Sequence, residues 1–272
     1  KIDLIHGHDS YAHSVLRLAY KWGLEIPSLV TRRLNNPIKT RSISKYNALN
    51  IRKIICISEA VKKTLLPQIQ EPSRLSVIHS GIDLSTSEIV RKKNTKRGIV
   101  VGYVAALTSE KDHHTFIKTA EHLLENFPNH NYSFVLAGAG PMESTIKKQI
   151  ESNTAHFTLT GFIKNIADVY SNLDVLLHTS VSEALGTSIL DAMKFQIPVV
   201  ATRVGGIPEI IDHGTNGLLC APGDAEHMAK QVHSLVADPQ RANIFFKNES
   251  KKLNQFDLLV MVSKTLMLYH EL

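Results

Sequence analysis

The chain has 272 residues, of which 43% are hydrophobic and 21% charged, with a formal net charge of +6. Length and a mean hydropathy of -0.06 provide the core for one large or two smaller packed domains. No apolar run approaches the ~18 residues of a membrane span, and no charged-then-apolar leader opens the chain, so the expected location is the cytoplasm. The two cysteines, Cys56 and Cys220, lie in apolar strand-like runs and read as buried small hydrophobes, neither a disulfide nor a metal pair. Fourteen histidines include no HExxH or Cys-rich spacing, so no metal ligands are assigned.

In chain order, the first segment predicts a strand over Ile2–His6, a helix near Tyr11–Trp22 and a strand over Ser28–Thr31. A second strand–helix unit follows, with a strand over Ile54–Ile57, a helix from Glu59 and a strand over Leu75–Ile78. Positive charge concentrates here: Arg32, Arg33, Lys39, Arg41, Lys45, Arg52, Lys53, Lys62 and Lys63 fall in a stretch whose only acid is Glu59. Beside a solvated basic face, three anionic neighbours suit that charge: a membrane surface, an acidic or lipid-phosphate acceptor, and nucleic acid. Nucleic acid ranks last, because no binding motif accompanies the charge and aromatics are 6% of the chain. The run RKKNTKR, Arg91–Arg97, reads as a hydrophilic connector.

Beyond it the pattern alternates again. Strands are expected over Gly98–Val104, Ser133–Ala137, Phe157–Leu159, Val175–Leu177, Ile197–Ala201 and Leu218–Cys220. Helices are expected over His113–Asn126, Pro141–Ser152, Ile166–Ser171 and Thr187–Lys194, with another carrying Glu209 and a terminal one within Phe256–Leu272. Strands separated by helices imply a doubly wound parallel sheet, with ligands at the carboxyl ends of its strands. The glycines of Gly138-Ala139-Gly140 follow a strand, but the rest of a dinucleotide fingerprint is missing, and a structural turn is expected.

One stretch stands out, from His178 to Asp224. Gly186 leads into a helix whose first amides, those of Gly186, Thr187 and Ser188, have no intrahelical acceptor; with the helix dipole they form a site for phosphate oxygens. Glu183 and Asp191 lie eight residues apart around that turn, a placement that suits hydroxyl binding better than a shared proton. By spacing alone they are equally a loop acid and a helix-dipole acid.

This run, with its PVVAT strand and GGIPE turn, resembles the donor-binding region of the family 4 retaining glycosyltransferases. ICISEAVKK and SVIHSGID are similar to landmarks that close that family's amino-terminal domain. The resemblance implies an α/β GT-B fold of two Rossmann-like domains. It divides the chain into 1–92, a partial acceptor-side domain; 93–253, the nucleotide-sugar domain; and 254–272, a helix packing back on the first domain. A GT-B amino-terminal domain opens with several units before its HxH element, and here His6 and His8 stand almost at the start, so the front of that domain is expected to be absent.

The resemblance also implies roles. Glu183 contacts the donor sugar hydroxyls, Asp191 the nucleotide ribose, and the amides of Gly186, Thr187 and Ser188 the diphosphate or sugar. Asp191 stands where the family has a longer Glu, and Ala184 where it has Gly. Lys111, in LTSEKD, matches a diphosphate-binding lysine, while Ala106 occupies the position of the family's arginine. Gly161, Phe162 and Ile163 resemble the segment whose backbone receives the base, and read equally as a strand-to-loop turn. His8 resembles the active-site histidine of the HxH element, and reads equally as a loop histidine satisfied by backbone.

The implied activity is retaining transfer of a sugar from a UDP or GDP sugar to a hydroxyl on a sugar, lipid-linked or polysaccharide acceptor, in envelope polysaccharide, lipopolysaccharide or glycolipid synthesis. No cofactor or metal is implied, and peripheral contact with an anionic inner membrane face is compatible. The alternatives are an epimerase or phosphorylase on the same fold, or a non-catalytic donor-binding remnant.

Overall fold

The computed structural model describes residues 2–85 and 98–272. The chain divides into two compact units. The first comprises Lys1–Asp83, Glu183–Leu185 and Phe256–Leu272, and the second Leu84–Ser182 and Gly186–Gln255. The connector expected over Arg91–Arg97, and with it the boundary at 92/93, lies outside the described residues.

In the first unit, β1 (Ile5–Gly7), α1 (Ser10–Lys21), β2 (Ser28–Arg32), α2 (Thr40–Tyr46), β3 (Ile51–Cys56), α3 (Glu59–Leu65) and β4 (Leu75–Val77) alternate along the chain. The four strands pair in parallel in the order β1-β2-β3-β4. The starts of α1 and α3 have side-chain caps, which satisfy amides that the helix itself leaves open. Asp9 accepts from the Ala12 N–H at 2.7 Å, and the Ser58 hydroxyl accepts from the Val61 N–H at 3.0 Å.

The second unit holds β5 (Ile99–Val104), α4 (His113–Asn126), β6 (Tyr132–Ala137), α5 (Glu143–Gln149), β7 (Phe157–Gly161), α6 (Ala167–Tyr170) and β8 (Val175–His178). It continues with α7 (Thr187–Lys194), β9 (Val199–Thr202), α8 (Ile207–Ile210), β10 (Leu218–Cys220), α9 (Ala225–Ala237) and α10 (Pro239–Leu253). The six strands are parallel in the order β10-β9-β8-β5-β6-β7. Helices cover both faces of such a sheet, which is why these strands read as continuous apolar runs rather than alternating ones. Tyr103, Phe116, Phe134, Leu177 and Val200 are at most 1% exposed and share one core cluster. Each such side chain contributes about 1.5–3 kcal/mol by leaving water.

The last helix, α11 (Leu258–His270), belongs to the first unit. Its Leu268 packs with Leu29, Ile55 and Ile78 beneath β2 and β3. Among the described residues, both units are thus α/β with parallel sheets, four-stranded in the first and six-stranded in the second, as the Rossmann-like expectation requires.

Several boundaries differ from the sequence expectation. β1 begins at Ile5, because the pairing strand starts opposite it at Ser28. β3 runs over Ile51–Cys56, since Ile51 pairs with Ser28 as well. The helix expected over Pro141–Ser152 shortens to Glu143–Gln149: its first residues form a turn in which the Met142 N–H donates to Leu107 O, and past Ile150 the chain tightens into 3-10 turns over Glu151–His156. Cys56 and Cys220 are both buried and unbridged, and burial pushes each thiol up to about 12.

Candidate functional site

Strand β5 sits between β6 and β8 at the centre of the larger sheet, and the chain leaves it in one direction to build β6 and β7 and in the other to build β8, β9 and β10. A reversal of that kind opens a crevice at the carboxyl ends of the two central strands. The loop after β5 carries Ala106 and Lys111, and the loop after β8 leads to α7.

Hydrogen bonds lock the first loop to the second. The Tyr103 hydroxyl donates to Lys111 O at 2.9 Å and lies 2.9 Å from the Ser180 hydroxyl, from which it accepts. The Thr179 hydroxyl reaches Lys111 O at 3.2 Å and Asp112 O at 3.0 Å, and the Val181 N–H donates to Glu110 O at 2.9 Å. Behind them, the Thr202 hydroxyl donates to Ser180 O at 2.6 Å. The backbone of Lys111 is therefore held at a fixed place between the two loops.

The start of α7 is built by Gly186, which is buried and adopts φ 102, a conformation that a side chain opposes. The first helical bond runs from the Ile189 N–H to Gly186 O at 2.9 Å. The amides of Gly186, Thr187 and Ser188 have no acceptor among the described residues, and they point out of the helix start where its dipole is positive. Ser188 is fixed from the other side, where its carbonyl accepts from the Tyr170 hydroxyl at 2.9 Å. One turn later, burial raises the Asp191 carboxyl above its ordinary value, against a smaller lowering by Lys194. A half-buried carboxylate deprived of water is strongly disposed to accept hydroxyl hydrogen bonds.

Gly161, Phe162 and Ile163 leave the end of β7 at the same sheet edge. Gly161 O accepts from the Gly138 N–H at 3.0 Å, and Phe162 is 81% exposed. Gly138 is the tightest point: it has φ +150, and a Cβ there would meet Ala105 O at 1.9 Å. The glycine pair around Ala139 is thus a turn pressed against the loop that carries Ala106, as its incomplete fingerprint predicts. Ala106 itself is exposed and supplies no charge.

Two residues fall in the first unit. Glu183 is half-buried on the loop between β8 and α7 and groups with the first unit by its contacts. His8 is exposed after β1 and lines a cavity of about 260 Å³ with His6, Arg33 and Ser80, whose apolar wall includes Ile57 and Leu266. His6 is clamped beneath it, with Nδ1 2.6 Å from the Tyr269 hydroxyl and Nε2 2.7 Å from Thr31 Oγ1. Burial, the largest cause, and the neighbouring His8 and Arg33 bring His6 down to about 4, so it is neutral near pH 7. The His6 and His8 rings lie 3.8 Å apart. Of the residues around His6 and His8, Arg33 stood in the basic stretch, while Tyr269, Thr31 and Ser80 had no signal in the sequence: Tyr269 meets His6 from 263 positions away.

Among the described residues, no cluster of three or more His, Cys, Asp or Glu side chains could hold a metal ion, and no helix is long and apolar enough to cross a membrane.

A family profile described as "Glycosyl transferases group 1" matches residues 85–252, which contain the whole crevice, and one described as "Glycosyltransferase Family 4" matches residues 1–86. This chain belongs to the family 4, group 1 glycosyltransferases. It is 27% identical to an uncharacterized glycosyltransferase, MJ1178, of Methanocaldococcus jannaschii, over all of this chain and 76% of that protein. It is also 27% identical to the 2-deoxystreptamine glucosyltransferase of Streptomyces kanamyceticus, over 78% of this chain and 58% of the relative. Among solved structures, Alr3699/HepE of Anabaena, in complex with UDP and glucose, superposes with a TM-score of 0.87 at 22% identity, covering 99% of this chain and 78% of that one. For this glycosyltransferase the likeness to HepE carries the fold.

Proposed function

We propose that this glycosyltransferase moves a hexose from a nucleoside diphosphate sugar to an acceptor hydroxyl, with retention of configuration at the transferred carbon. The observation that carries this reading is the α7 start: three unpaired amides, at the switch point of a Rossmann-like sheet, beside a lysine whose backbone is locked in place. The UDP and glucose named with HepE, and the glucosyl transfer named for the Streptomyces relative, support a UDP hexose as donor.

In this reading the diphosphate lies over the amides of Gly186, Thr187 and Ser188, with Lys111 meeting the negative charge that grows as the sugar–phosphate bond breaks. Asp191 takes the ribose hydroxyls, the backbone of Gly161, Phe162 and Ile163 the base, and Glu183 the sugar hydroxyls. The acceptor hydroxyl attacks from the face that the diphosphate leaves, and its proton passes to the departing phosphate. No side-chain nucleophile takes part, and His8 orients the acceptor or sugar. A divalent metal is not required, because amides and lysine supply the positive charge; turnover in EDTA should match turnover in magnesium.

The test is a donor screen on the full chain. Thermal melting with UDP, GDP and ADP sugars identifies the donor, since a ligand that binds only the folded state raises the melting temperature. NMR of the product then reads its anomeric configuration. An inverted product contradicts the mechanism, and turnover that stops in EDTA contradicts the metal-free charge balance.

A further inference from the structure

Beside the His8 cavity, the first unit contains a second one of about 240 Å³ on the opposite side of the β2 end. Successive strand residues point to opposite faces, so Arg33 lines the first cavity and Arg32 the second. Four cations line it, Arg32, Lys39, Arg41 and Lys45, with the hydroxyl residues Ser10 and Ser42, and no acidic residue is among the lining.

Two of these cations are buried. Arg32 is 8% exposed and Lys45 is 6% exposed. Among the described residues, their hydrogen bonds go only to neutral acceptors. Arg32 donates to Leu34 O at 3.1 Å, to Asn36 O at 2.8 Å, to Asn36 Oδ1 at 2.5 Å and to the Tyr46 hydroxyl at 3.3 Å. Lys45 donates to Ser10 O at 3.2 Å, Ser10 Oγ at 3.1 Å and Ser14 Oγ at 3.2 Å. The Tyr46 ring is shared by the two heads, 5.9 Å from the Arg32 guanidinium and 5.7 Å from the Lys45 ammonium. Burial, the largest cause, then Arg32 and Arg17, lower the Lys45 ammonium below its ordinary value.

Buried charges are ordinarily paired, because an uncompensated one costs several kcal/mol. Here four of the five Arg32 N–H groups and all three of Lys45 have neutral acceptors among the described residues, and neither charge has a counter-charge there. What such a pocket lacks is an anion. A guanidinium and an ammonium held by hydrogen bonds, two exposed cations at the rim and two hydroxyls exceed what one carboxylate requires and match a dianionic phosphate ester. We propose that this cavity is a phosphate-binding site, separate from the crevice of the larger sheet. The phosphate belongs either to a soluble phosphorylated compound or to a lipid headgroup; the chemistry recognised is the same. This inference does not depend on the donor reading, since neither Lys111 nor α7 contributes to it.

The experiment is calorimetric titration of the full chain, in phosphate-free buffer, with inorganic phosphate and glycerol phosphate, and sedimentation with vesicles containing 20% (roughly, a common anionic fraction) phosphatidic acid against neutral vesicles. Lys45→Gln tests the buried cation, and the double variant Lys39→Gln/Arg41→Gln tests the exposed rim without disturbing the core. Either should weaken binding by about tenfold or more, whereas Lys111→Ala, which reports any anion held at the donor crevice, should leave it unchanged. Soluble phosphate bound in this pattern supports the site with a free ligand as source, and binding to phosphatidic acid vesicles alone, with the same variant pattern, supports it with a headgroup as source. No binding to any probe at 10 mM (about the weakest affinity of interest) overturns the proposal, as does binding that Lys111→Ala abolishes or that the rim variant leaves intact.

Discussion

The two units present positive groups in different ways. In the larger one the groups aimed at a ligand are backbone amides at the start of α7, positioned by Gly186 and backed by a single lysine whose loop is stitched to the next. In the smaller one they are side chains, a buried arginine and lysine placed by β2 and α2 and left with neutral partners. Amides cost nothing to keep ready, because a helix start leaves them unpaired in any case. Buried cations are expensive to hold. The first arrangement suits a ligand that comes and goes with every turnover, and the second suits a specific anion whose binding relieves the site's own electrostatic penalty.

The largest effects should separate turnover from binding. Glu183→Ala should reduce sugar transfer to background while leaving the fold and UDP affinity intact, read by product NMR together with calorimetry; an active variant removes that acid from the mechanism. His8→Asn should likewise lower turnover without changing UDP affinity, because His8 belongs to the smaller unit, and a loss of UDP binding there would break the division of labour. Lys111→Ala should weaken UDP binding by about 10- to 150-fold, the range of about 1.5–3 kcal/mol for a hydrogen bond to a charged group.

A smaller effect concerns stability. Gly138→Ala should cost roughly 1–3 kcal/mol in denaturant unfolding, since its Cβ has no room beside Ala105 O. The chain should unfold more easily in acid as well. Burial, in each case the largest cause, brings His6, His13 and His113 down to about 4 from 6.5. A histidine whose folded value lies below its unfolded one takes up its proton more readily when unfolded, so its contribution is fully present above pH 6.5 and is lost as pH falls towards 4. Melting temperature should therefore drop between pH 7 and pH 4.5, in both units; His113→Gln should flatten the part of that slope belonging to the larger one.

The larger unit was more legible in the sequence than the smaller. α4, α7 and β10 fall on their expected residues because apolar spacing, a glycine and a following proline mark them. The amide site was readable for the same reason: a glycine before a helix names its own unpaired N–H groups. α2 carried no such mark. It is short and basic, and Lys39 precedes it without a side-chain cap, so its charges read as a dispersed basic stretch, and only the fold gathers Lys45 with Arg32 around Tyr46. α9 and α10 went unassigned although Asp224 and Asp238 cap them. The clamp on His6 was unreadable in principle, since Tyr269 reaches it from the other end of the chain.

The account stands most directly on amide hydrogen exchange in the larger unit, measured with and without saturating UDP. Slowed exchange at Gly186, Thr187 and Ser188, with the loop from Ala105 to Lys111 protected alongside, is the predicted result, and Lys111→Ala should reduce it. UDP binding that leaves those amides exchanging at their free rate would contradict the claim that the start of α7 holds the diphosphate.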